Sequence, residues 1–279
     1  MCLETVFENS DSFTSDVLIS GTVTISSGCQ IDIMDGVTIY CTPNAKIIVE
    51  PGGYLNLINA TITSACEGEM WQGIELYGID GSSPHDLSSH GFLYMTGSTI
   101  ENAMCAVNAG GVRYVMIGST EEVDPPTQGG YGQRVLFLPL NGGGGIIQAE
   151  YSNFINNKQS INYNSGMLYA LSKVSMGFYK CTFTIDNFNH CTFQNLQSTS
   201  GVGIYANGAG VDLNMDNVNG IIDPPCIFEG FGTAVYVTNA GTALTRIVNT
   251  EFSNNKVAVS AKGSNNMQIE SCVFSVPTS

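Results

Sequence analysis

The chain has 279 residues, 43% of them hydrophobic and only 12% charged, with 24 acidic against 9 basic residues for a net charge of −15. That field repels the phosphates of nucleic acids and anionic lipid head groups, which disfavours both as partners. No run of about 18 apolar residues exists to insert in a membrane, and Asn, Ser, Thr and the 32 Gly are poor helix-interior residues.

The composition predicts one all-β domain over residues 1–279, with enough apolar mass for a sizeable core. The opening "MCLETVFENS" has neither a basic segment nor an apolar one after it, so it is not a signal peptide. Residues 1–20 are a candidate N-terminal cap. From 21 to 66, Val23 with Ile25, Ile31 with Ile33, Val37 with Ile39, Ile47 with Val49 and Leu55 with Leu57 recur at spacing two between Gly and Asp, the pattern of short three-sided coils. Nine cysteines cannot all pair with one another. Cys41 and Cys66 lie 25 residues apart, close to one coil, and are expected to form a disulfide between stacked positions.

The stretch 78–91 reads as an inserted loop, and His85, Asp86 and His90 within it as exposed loop polarity rather than a metal or catalytic group. Beyond it a second rhythm begins, in which Phe or Ile is followed two residues later by Asn: Ile100/Asn102, Phe154/Asn156, Phe193/Asn195 and Phe252/Asn254, with Phe228/Gly230 as a variant. A small alternating run follows each copy, as in "SINYN" and "TAVYVT". The steps from Phe228 to Phe252 and on to Phe274 are 24 and 22 residues, and such a period made of short strands and turns indicates a solenoid. Longer gaps are a coil plus an insertion, placed near 113–143 and 166–190.

In a right-handed parallel β-helix, windings stack about 4.8 Å apart and each inward side chain sits on its equivalent in the next. Phe154, Phe193, Phe228, Phe252 and Phe274 are therefore expected in one interior file. Asn102, Asn156, Asn195 and Asn254 take the sharp turn, where Asn and Gly tolerate a left-handed backbone, and their stacked amides can bond from coil to coil. Cys191, Cys226, Thr250 and Cys272 each precede a file Phe by two residues and read as small buried side chains rather than disulfides. "CTF" occurs at 181–183 and again at 191–193, too close for both to lie in regular coils.

Asp212, Asn214, Asp216 and Asp223 fall at positions one, three, five and twelve of a calcium loop, but Asn217 stands where the turn Gly belongs. The same alternation is that of a strand with Val211, Leu213 and Met215 inward, which is the preferred reading, with calcium as the candidate cofactor otherwise. "NGGGG" at 141–145 has no following Lys and Ser/Thr, so it is not a phosphate loop.

At "MWQGIELYG", "STIENAMCAV" and "GGIIQAEYSNFINNKQSI" the chain resembles the right-handed β-helix modules in large secreted proteins of Bacteroidetes, which carry a C-terminal sorting domain for type IX secretion. The resemblance implies a pectate-lyase-like fold in an extracellular, surface or adhesin-like protein, with no catalytic residues to carry over. No sorting domain is evident, so the chain is expected to be a segment of a longer protein or an unusual stand-alone member. Polysaccharide lyase or hydrolase activity is the rival reading. The clustered Asp phrases of such hydrolases are missing, and Arg113, Arg134 and Arg246 alone are few for a uronate site. The expectation is a non-catalytic structural or adhesive module, with glycans as candidate ligands. The tail "IESCVFSVPTS" shows no cap, so further coils of a parent chain or an identical subunit stacked end to end, as in a filament, are expected to cover it.

Overall fold

The computed structural model describes residues 2–79, 87–109, 112–116, 122–123, 135–139, 143–157, 159–164, 187–189, 191–195, 201–207, 211–213, 225–241 and 244–275. They form a parallel β-helix of nine windings, each giving one strand to each of three faces. The first face is a nine-stranded parallel sheet from Asp11–Phe13 to Met267–Glu270. The second and third faces merge into one 18-stranded network. They merge because Val17–Ile25 rounds their shared corner, pairing with Thr38–Cys41 through its first half and Lys46–Val49 through its second. The candidate cap at 1–20 contains strands Cys2–Phe7 and Asp11–Phe13, which lie in the first winding and pair in parallel with the second.

Alternation along the early first-face strands decides what faces in. Ile31, Ile33, Leu55, Leu57, Leu93 and Met95 on the first face are each at most 1% exposed. Parallel pairing then puts like on like. The second-face file reads Val17, Ile39, Ile62, Ile100, Phe154, Phe193, Phe228, Phe252, Phe274. Its rings are stacked almost parallel, with centroids 4.9 Å apart for Phe154–Phe193, 4.4 Å for Phe193–Phe228, 5.4 Å for Phe228–Phe252 and 5.1 Å for Phe252–Phe274.

The second copy of "CTF" is the one in the regular coil, since Phe193 sits in this file, while 181–183 lies outside the described residues. Between Ile100 and Phe154 the chain inserts an antiparallel sheet of Val112–Met116, Glu122–Val123 and Val135–Pro139. Of the insertion expected at 166–190, Asn187–Asn189 is a first-face strand and most of the rest lies outside the described residues.

The turn from second to third face follows the expected chemistry. Asn102, Asn156 and Asn254 have φ of 56°, 53° and 56°, and Gly230 has 81°. The N–H groups of Asn102, Asn156, Asn195 and Gly230 donate to carbonyls of the next winding at 2.8 to 3.2 Å. Gly230 is more than a permissive substitute for Asn. A Cβ there would stand 2.3 Å from the backbone oxygen of Asn195, so a side chain requires the two windings to separate. Gly230→Asn, which restores the repeat's commonest residue, is therefore expected to lower stability by about 2 kcal/mol or more, read as a lower midpoint in urea unfolding. A neutral or stabilising result would show that the winding spacing yields at this turn.

Candidate functional site

Two features outside simple burial are built at the corners, and a third at the end of the core. The first is a clip written by the last Asn of "NFINN" and "EFSNN". The Asn157 amide donates Nδ2–H to the Ile100 oxygen at 3.0 Å and accepts the Ala103 N–H at 2.8 Å, spanning the turn of the winding before it. Asn255 repeats this on Phe228 at 2.9 Å and Phe231 at 2.9 Å. Sequence reasoning singled out Asn156 and Asn254 for backbone conformation and amide bonds from coil to coil, and missed their neighbours Asn157 and Asn255, which clip the backbone of the preceding winding. The turn amides bond differently, Asn102 donating to Thr63 Oγ1 at 3.2 Å and Asn254 to Glu229 Oε1 at 3.3 Å.

The second feature is a column two residues before the second-face file: Ser98, Ser152, Cys191, Cys226 and Thr250, all buried. The expected burial holds for Cys191, Cys226 and Thr250 but not for Cys272, which is only partly buried in the last winding, and the apolar reading is incomplete. Ser98 and Ser152 hydroxyls donate to the carbonyls of Thr96 and Glu150, two residues back, at 2.9 Å each. The N–H of Ala60 donates to Ser98 Oγ at 3.0 Å, and that of Cys191 to Cys226 Sγ at 3.4 Å. Burial raises the Cys191 thiol well above its ordinary pKa, with Cys226 beside it adding to the shift.

The third is the open end of the core. The last winding turns Ile269 and Phe274 inward, yet they are 42% and 52% exposed, whereas Ile247 and Phe252 one winding earlier are 0% and 2% exposed. At the opposite end Phe7 and Phe13 pack edge to face at 5.8 Å and 65°, both partly buried against the core.

The Cys41–Cys66 disulfide is not formed. Cys41 stacks over Ser64, so Cys66 lies two residues beyond the required register, exposed at a turn while Cys41 is fully buried. Burial pushes the Cys41 thiol up to about 12. His90 is also corrected, being 2% exposed rather than a polar residue on a loop surface, with its N–H donated to Leu87 and its oxygen accepting from Gly52. His85 and Asp86 lie outside the described residues. Among the calcium candidates, Asp212 is on a first-face strand opposite Arg246, with Val211 and Leu213 buried inward, and Asn214, Asp216 and Asp223 lie outside the described residues. Among the described residues no three His, Cys, Asp or Glu side chains gather closely enough to hold a metal. No protein-family model matches the chain, and no curated protein is similar to it.

Asn157→Ala strands the buried Ala103 N–H and should cost about 1–3 kcal/mol in urea unfolding, with Asn157→Asp recovering only the acceptor half. A cost under about 0.5 kcal/mol would show that the clip is idle. The Cys41 thiol predicts a pH dependence of stability. Its folded pKa exceeds the unfolded one, so folding holds the proton that the unfolded chain releases; stability is complete below the ordinary thiol value of 9.0 and falls toward about 12. Melting temperatures followed from pH 8 upward should show this decline, and Cys41→Ser should reduce its slope.

Proposed function

We propose that the chain is a non-catalytic extracellular module that serves as a rigid structural or adhesive rod, extended at its open end by further windings of the same kind. One observation carries this reading. Phe274 is already stacked on Phe252 at 5.1 Å and 7°, yet its other face is left to solvent, so the file has a ready position for the next ring. The occupant is either more of a longer parent chain or an identical subunit stacked end to end; the second is a heterologous contact that does not close and makes filaments. The resemblance to secreted Bacteroidetes surface modules supports the extracellular placement and the type IX secretion route.

Appending a second copy of residues 254–275 after position 275 should raise the melting temperature by several degrees, because it adds one winding in register and buries the present end of the file. An extended protein that melts no higher than the original would overturn the open-end reading.

A further inference from the structure

The outward positions of the first face near its beginning carry chemistry that the core does not use. On three successive windings they place Gln30 and Asp32, then Tyr54 and Asn56, then Phe92 and Tyr94. The Asp32 carboxylate is held by its neighbours. Gln30 Nε2 donates to it at 3.0 and 3.2 Å, and Asn56 Nδ2 reaches it from the next winding at 2.7 Å. The Tyr54 and Phe92 rings pack against each other at 5.7 Å and a 46° tilt, both partly exposed, with Tyr94 partly exposed alongside. On the following winding the outward Ile146 is fully buried, so the aromatic end of the strip runs under cover.

We infer that this strip binds a neutral polysaccharide, with sugar rings laid on Tyr54, Phe92 and Tyr94 and hydroxyls donated to the fixed Asp32 carboxylate and shared with the Asn56 amide. The inference rests on the adhesive reading above and gives it a ligand class. Aromatic faces beside a few oriented polar groups are the composition of sites for amphipathic small ligands. Asp32 is pre-organised by three donor contacts, so it loses little freedom on accepting a hydroxyl. Charge selects among glycans. The six residues include a carboxylate and no cation, on a chain of net charge −15, which disfavours uronate or sulfated polymers. Area argues against a protein partner, since three partly buried rings expose on the order of 200 Å² where a stable protein interface needs about 1,000 Å².

Affinity electrophoresis through gels containing hydroxyethylcellulose, xylan, laminarin or polygalacturonate tests this directly. Retardation is expected with at least one of the three neutral polymers and not with polygalacturonate. Tyr94→Ala and Asp32→Asn should each weaken it at least tenfold without lowering the melting temperature appreciably, while Tyr205→Ala on the third face leaves it unchanged. Should Tyr94→Ala fail to fold, the near-isosteric Asp32→Asn carries the test. Migration unaffected by all three neutral polymers, retardation that survives both strip substitutions, or preferential retardation by polygalacturonate would overturn the assignment. If the protein ignores these glycans but still gains stability from appended windings, this inference alone fails and the rod reading stands.

Discussion

The constraint on which the molecule depends is vertical register. Each winding exchanges backbone N–H to carbonyl bonds with the windings before and after it at the strand spacing of about 4.8 Å, so a residue has no freedom to choose its neighbour above and below. A ring can be flat against another ring only if every winding between the corners keeps its count. The second-face file shows the consequence. It runs as β-branched residues through Ile100 and as Phe from Phe154 onward, changing once rather than alternating. A mixed file would leave gaps beside each small member, and removing one buried Phe from such a stack costs about 3–5 kcal/mol. Stacking geometry adds about 0.5–1.5 kcal/mol per ring pair beyond burial.

Corners are where this regularity meets the chain's need to turn, and some of their positions take a limited set of side chains. At the column of Ser98, Ser152, Cys191, Cys226 and Thr250, a short side chain with a hydrogen-bonding γ atom stands where Val37 and Ala60 stand in the earlier windings. Ser, Thr and Cys all supply such an atom, which lets three chemically different residues interchange there while they partner backbone groups such as the Ala60 and Cys191 N–H. Their thiols are structural: burial holds Cys191 protonated and far from the thiolate form that reacts.

The fold was legible because the second-to-third corner uses nearly one residue type. Asn at a fixed distance from Phe marks a left-handed turn and an inward ring at once, and the period follows. The other left-handed corner, from first to second face, was invisible for the opposite reason. It is occupied by Asn59, Gly97, Tyr151, Asn249 and Ser271, all with φ between 44° and 58°, and no residue type repeats often enough to be seen. The Cys41–Cys66 expectation failed on the same point, since a separation of one coil length says nothing of phase and a two-residue offset moves a side chain from the file to the turn. Asn157 and Asn255 were overlooked because their role lies in reaching the preceding winding, which no local pattern records. The outward strip was equally hidden: Gln30, Asn56 and Tyr94 are far apart in sequence and meet only once the windings are in register.

That separation of inside from outside has a functional consequence. The inward files and the Asn corner leave little room for variation, and three of the four longest stretches between strands of the helix, from Gly78 to Phe92, Ala109 to Ile146 and Asn164 to Asn187, fall between a third-face and a first-face strand. At that junction added length does not pass through the Asn corner or break the second-face file. Outward positions of the first face are next along the chain after each such segment, as Phe92 and Tyr94 are after 80–86. A parallel β-helix can therefore alter what it displays along one face by substitution and insertion while its core stays the same.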